Sequence, residues 1–271
     1  MKFGFHAVYE KDYIDAISFA ADHGFNYVQF DLNCPRYFLE NLSQRELKKI
    51  KQLSQDTGVE ITFHAPGDNI GLFTDYPPIR KGLLTHLRKI LNYAEKFNSH
   101  HITVHPFIYP SFHATEKVDK DYECEFWNYY SQVLQNNLSE ILKKNKKCYI
   151  CVENYKFTRL AISAIEPLLS VHKNLGLTLD IPKLFDKSGK LDTEGLNFFR
   201  KNAAKIKEIH LHDFKFKNRS HLGFGDGDID FSRFIDFFSH SNDHYITIEV
   251  RPGCAAYKTL GKFKSYLEGC L

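Results

Sequence analysis

The segment EIHLHDFKFKNRSHLGFGDGDIDF, residues 208–231, gathers His210, His212, Asp213 and His221 into one short stretch. Imidazole and carboxylate are the side chains that bind divalent ions and move protons near neutral pH. His210 and His212 flank Leu211, so in a strand they share one side and Leu211 takes the other. Residues of the same kind close seven other short apolar runs: His6, Asp31, His64, His105, Glu153, Asp180 and Glu249. One such residue decides nothing, but eight on a common rim would form a shared ligand shell. Mixed carboxylate and imidazole suits Mn²⁺, Co²⁺ or Zn²⁺, whereas an all-oxygen set would suit Mg²⁺ or Ca²⁺.

The runs that must position these residues are KFGFHAV, YVQFDLN, EITFHAP, HITVHPF, YICVENY, LGLTLDI, EIHLHDF and YITIEVRP. Between them lie stretches of helical period such as DYIDAISFAADHGF, RELKKIKQLSQDTG and PIRKGLLTHLRKILNYAEKF. Several of these stretches end in Gly or Asn before the next run, as helix C-termini do. Eight strands alternating with helices and no linker predict an α/β fold, a single (β/α)8 TIM barrel spanning residues 1–271 as one domain. An open doubly wound sheet is the alternative, but no glycine-rich phosphate turn follows the first strand. In a barrel the chemistry sits at the C-terminal ends of the strands, where these residues fall. The long insertions after the fourth strand (108–126) and the seventh (215–228) are expected to shape the substrate site.

Composition fits a large buried core, with 43% hydrophobic residues, and a net charge of +3 neither requires nor excludes a polyanion. No secretory leader and no membrane-length apolar stretch is visible, so a soluble cytoplasmic protein with no membrane partner is expected. The Cys148–Cys151 spacing stands alone inside a strand-like run and reads as buried thiols rather than a redox or zinc motif. His86, His100, His101, His113, His172, His240 and His244 read as surface or packing residues, and His6 and Asp31 as substrate-side or packing residues.

The motifs HAP at 64, VHP at 104, VEN at 152, LTLD at 177, IHLHD at 209, HLGFGDGDIDF at 221 and IEVRP at 248 resemble the xylose isomerase-like TIM-barrel superfamily. That superfamily includes sugar isomerases and epimerases, inosose dehydratases and endonuclease IV, and is also known as AP endonuclease family 2. The resemblance implies a divalent ion held by Glu153, Asp180, His210 and Glu249, and a second ion in the endonuclease branch held by His64 and His105 with Glu153. The third ion of that branch would need ligands where this chain has Lys183 and Arg219, keeping only His221, which argues against strand cleavage.

The expected activity is a metal-dependent isomerase or epimerase acting on a small sugar, sugar phosphate or polyol ketone. Glu153 and Glu249 would transfer the proton through an enediolate. His64, His105, Lys183, His212, His221 and Arg251 would meet the substrate, with His212 also placed to hold a ligand. A dehydratase could use the same machinery. The competing reading is an endonuclease IV-like nuclease at abasic DNA, with the basic runs at 45–52 and 142–147 following phosphates; such runs are more often solvated helix faces. A non-catalytic sugar-binding or metal-storage barrel is the third. The sequence does not specify the oligomeric state.

Overall fold

A computed structural model describes residues 1–67, 71–106, 120–145, 147–155, 157, 159–216, 218–239 and 244–270, without the side chains of 120–124, 144, 218–220 and 239. Seven parallel strands come first: β1 (Lys2–Ala7), β2 (Tyr27–Asp31), β3 (Glu60–His64), β4 (His101–Val104), β5 (Tyr149–Glu153), β6 (Leu175–Asp180) and β7 (Ile206–Leu211). A hairpin follows, β8 (Asp213–Lys215) against β9 (Asn218–Leu222), and then the last barrel strand, β10 (Tyr245–Ile248). The first strand pairs with both β2 and β10, so the eight-stranded sheet closes and has no edge. This is the expected (β/α)8 barrel. The hairpin is an addition: its strands are too short to stand out inside what reads as a loop.

Helices α1 (Tyr13–Asp22), α2 (Gln44–Thr57), α3 (Pro77–Phe97), α4 (Lys120–Lys144), α5 (Arg159–Val171), α6 (Thr193–Lys201), α7 (Ile235–Ser239) and α8 (Gly253–Cys270) alternate with the barrel strands. The second starts where Ser43 caps the Glu46 amide and the Glu46 carboxylate accepts from the Ser43 amide, a reciprocal capping box. It buries only Leu47 and Ile50, leaving Arg45, Lys48, Lys49 and Lys51 exposed, so this basic run is a solvated helix face. Of the run at 142–147, exposed Lys147 pairs with Glu95, while residue 146 lies outside the described residues.

Alternate residues on the strands face outward to the helices, among them Val28, Phe30, Ile61, Phe63, Leu177, Leu179, Ile246 and Ile248, all buried. The opposite alternation fills the barrel. Most such barrels pack branched apolar side chains there, but here the middle layer holds Gln29, Thr62, Thr103, Thr178, Glu208 and Thr247, each fully buried. Above it lies the rim of strand ends. Residues 68–70 and 107–119 lie outside the described residues, and with them most of the insertion expected after β4, including His113; His240 is outside too. Among the described residues no helix is long and apolar enough to cross a membrane.

Candidate metal centre

The rim brings together residues from all eight strands. Glu153 ends β5 with no exposure, and its Oε2 lies 3.1 Å from His64 Nε2, 3.1 Å from His105 Nε2 and 3.5 Å from His210 Nδ1. His210 Nδ1 also lies 3.3 Å from Glu249 Oε1. Asp180 is placed beside His210 by the register of β6 on β7. Asn154 holds it there: its side chain accepts from the Asp180 amide at 2.7 Å and donates to the Asp180 carbonyl at 2.8 Å. Two adjacent strand ends, and the carboxylates of Glu153 and Asp180, are thereby fixed relative to one another.

The second flank is built on Glu249. His6 Nδ1 is 3.1 Å from Glu249 Oε1, and Arg251 donates to His6 from 2.8 Å. Asp31 lies 3.7 Å from His6 Nε2. His6 and Asp31 thus belong to the site's support, which their packing or substrate-side reading only partly anticipates. On the other side of Glu249, its Oε2 is 3.8 Å from His212 Nε2 and 3.6 Å from His221 Nε2, with the two rings stacked 4.3 Å apart. His221 is half-exposed and reaches the site from the β8–β9 hairpin; the Arg219 side chain lies outside the described residues. The loop carrying His221 is knotted around Asp213, which accepts from the amides of Phe214, Gly225, Gly227 and Ile229. A side chain on Gly227 would place Cβ 2.2 Å from Asp213 Oδ1, so the knot closes only around glycine.

Lys183 approaches from the turn after β6. Its ammonium is 2.9 Å from Asp180 Oδ2 and donates to Glu153. Expected to meet substrate, it here neutralises the two carboxylates.

Electrostatics follow from these contacts. Burial raises the Glu153 pKa, but the Lys183, His105 and His210 charges outweigh it and hold the carboxyl well below its usual range. Glu249 is also held well below, with burial opposed by His210, His221 and His6. Burial disfavours the His210 imidazolium, yet Glu249, Glu208 and Glu153 together push its pKa up to about 10. Burial wins at His6 and His105, whose pKa values fall. At His64 the Glu153 contact overcomes burial and the pKa rises.

The side chains fit a divalent cation. His64 Nδ1 lies 3.0 Å from the Ala65 carbonyl, an acceptor only, so Nδ1 carries the proton. A neutral ring then aims its Nε2 lone pair at Glu153 Oε2, and a cation between them, proton or metal, removes that repulsion. Both nitrogens of His210, and His212 Nε2, are buried without a hydrogen bond of good geometry. Ligand atoms of Glu153, Asp180 and His210 lie within 4.8 Å of one another, as do those of His64, His105 and Glu153, and of His212, His221 and Glu249. Sequence reasoning missed Asn154, Glu208 and His101. Glu208 stands two residues before His210 and His101 four before His105, so strand alternation alone could have flagged both.

A closed parallel barrel with a buried carboxylate–imidazole cluster at its C-terminal mouth defines a TIM barrel with a candidate metal centre. The chain belongs to the xylose isomerase-like TIM barrel family, whose profile matches residues 17–266. A protein of Methanocaldococcus jannaschii, itself uncharacterised, is 28% identical over 245 residues, covering 84% of this chain and 76% of its own. A D-tagatose 3-epimerase-like protein of known structure is 26% identical, with a TM-score of 0.76 over 99% of this chain and 97% of its own. Endonuclease IV from Thermus thermophilus shares the fold at 16% identity, with a TM-score of 0.71 over 99% of this chain and 100% of its own.

Proposed function

We propose that residues 1–271 form one catalytic domain, a divalent-metal-dependent isomerase or epimerase for a small polyhydroxylated carbonyl compound. The observation that carries this reading is the convergence of two buried glutamates, Glu153 at 3.5 Å and Glu249 at 3.3 Å, on the same nitrogen of His210. Glu153, Asp180, His210 and Glu249 would hold Mn²⁺, Co²⁺ or Zn²⁺, which when bound supplies Lewis acidity to the carbonyl and its neighbouring hydroxyl.

The two glutamates are ionised at neutral pH, so either can act as a base toward the carbon between them. They differ in freedom. Both oxygens of Glu153 are engaged, one by Lys183 and the other by His64 and His105. Among the described residues Glu249 Oε2 meets His212 and His221, at the longer distances of 3.8 and 3.6 Å, and so is the freer base. In this reading Glu249 removes the proton to give the enediolate, and a proton passed from the Lys183 ammonium to Glu153 reaches the carbon from the other side. His221, half-exposed beside Glu249, is placed to meet a substrate hydroxyl, as is Arg251 beside His6. Among the described residues five cysteines are free, which supports a reducing cytoplasmic setting.

The convergence of His64 and His105 on Glu153 Oε2 favours, as a second reading, a two-metal nuclease at abasic DNA. Against it, the exposed lysines of α2 lie on an outer helix and the Lys183 ammonium sits among the ligands. One experiment separates the two. The purified protein is assayed for metal content, for deuterium uptake at the carbon next to the carbonyl across a panel of ketoses and ketose phosphates, and for nicking of an abasic duplex. Deuterium uptake without nicking is expected. Nicking without uptake would make the nuclease reading the correct one.

A further inference from the structure

Beneath the rim, Glu208 is a fully buried carboxylate that the proposed reaction does not use. Its Oε1 accepts from Gln29 Nε2 at 2.7 Å and from Thr247 Oγ1. Its Oε2 accepts from Thr178 Oγ1 at 3.1 Å and from Thr103 Oγ1. These donors come from β2, β10, β6 and β4, so the carboxylate is gripped from around the barrel. Two imidazoles complete its surroundings: His101 Nε2 is 3.1 Å from Oε1 and His210 Nε2 is 3.2 Å from Oε2. Burying an ion this deep costs several kcal/mol unless donors surround it, which gives the unusual polar layer of this barrel a physical reason.

The two nitrogens of His210 face different partners. Nε2 points down to Glu208, while Nδ1 points up between Glu249 and Glu153. An ionised carboxylate only accepts, so in the metal-free ring each nitrogen faces an acceptor and carries hydrogen, and an ion at the rim would displace the one on Nδ1. We propose that Glu208 is the positioning residue of the metal centre: it keeps Nε2–H of His210 directed into the barrel, so that Nδ1 is the nitrogen that takes the ion. The inference rests on the reading that a divalent ion binds at His210. Without Glu208 the ring could turn over and offer either nitrogen. With it, the line Thr178 to Glu208 to His210 transmits the rigidity of the barrel to one ligand atom. Histidine ligands are commonly oriented by a carboxylate on their second nitrogen; here that carboxylate comes from the same strand, two residues earlier.

The test uses the whole chain loaded with the NMR-active isotope of cadmium and labelled with heavy nitrogen in histidine. Cadmium–nitrogen coupling is expected at Nδ1 of His210, with Nε2 still protonated. Glu208→Gln should weaken Cd²⁺ binding by about 10–100-fold. Thr178→Val, which removes one donor to Glu208 and leaves Glu208 facing His210, should keep the coupling at Nδ1 and weaken Cd²⁺ binding less than Glu208→Gln does. Coupling at Nε2, or a Glu208→Gln variant that binds Cd²⁺ as tightly as the parent, overturns the role of Glu208 while leaving the metal centre standing. Absence of any coupling to His210 in the parent overturns the centre itself. The coupling is measured on the parent chain and does not depend on a variant folding.

Discussion

The Lys183 ammonium stands 2.9 Å from Asp180 Oδ2 and also donates to Glu153, so one cation serves two carboxylates that have no solvent exposure. Its position is set by a short turn, Pro182–Leu184, in which the Lys183 amide donates to Asp180 Oδ1 at 3.2 Å. Burial would lower its pKa, but Asp180 and Glu153 raise it, so the charge persists at neutral pH. The lysine therefore occupies the same oxygens that the proposed ion would use.

Lys183→Met removes that cation and leaves the two carboxylates facing each other. Without metal the variant should lose about 3 kcal/mol of stability, the lower end for breaking a buried pair, because the lysine is partly solvated. Saturating Mn²⁺ or Zn²⁺ should then raise the melting temperature of the variant more than that of the parent. Equal metal-induced shifts in the two proteins would show that ammonium and ion do not compete.

Metal affinity should depend on pH through His210. Its pKa in the folded, metal-free protein is about 10, against an ordinary value of 6.5, so an ion must displace a proton at neutral pH. Affinity should rise about tenfold per pH unit from neutrality and level off near 10. Metal-free stability should run the other way. A raised folded pKa contributes stability that is complete below 6.5 and disappears as pH climbs through 10. The depressed Glu153 and Glu249 contribute stability present above 4.5 and lost on acidification through their folded values. Titration calorimetry and denaturation across this range check both limbs; a flat affinity profile would mean that His210 binds no ion.

Much of the barrel and its rim was legible in the sequence, because alternation along eight parallel strands puts same-side residues at one height. His64, His105, Glu153, Asp180, His210 and Glu249 do meet there. What escaped depended on long-range register or on an unusual interior. The pairing of Phe5 with Ile248 joins the first strand to the last and so brings His6 to Glu249, a contact no local pattern announces. Glu208 begins EIHLHDF and drew no reading of its own, and His101 reads as a surface or packing residue; both are fully buried along the barrel axis. The hairpin that delivers His221 rests on Asp213 accepting four amides, which the motif HLGFGDGDIDF hints at only through its glycines.

Asp213→Asn should test that support. The amide replaces a charged acceptor of four N–H groups with one oxygen and a donor that opposes the remaining amides. A loss of about 3 kcal/mol in chemical denaturation is expected, together with faster amide exchange over residues 221–229. His221 should then be held less closely to Glu249, so substrate affinity should fall further than metal affinity. If the two fall together, the loop supports the whole centre rather than the substrate side.

The last prediction concerns the division of labour between the glutamates. A two-base epimerase takes its proton from opposite faces in the two directions, so removing one base silences isotope exchange from one epimer only. Glu249→Gln, assayed at saturating metal because Glu249 is also a proposed ligand, should reduce deuterium uptake by at least about 100-fold with the epimer whose proton faces Glu249. Uptake with the opposite epimer should persist, because Glu153 keeps its contacts to Lys183, His64 and His105, none of which passes through Glu249. Glu153→Gln should show the mirror pattern. Loss of exchange with both epimers in both variants would point to a single-base isomerase, and undiminished exchange in Glu249→Gln would remove that residue from the proton transfer.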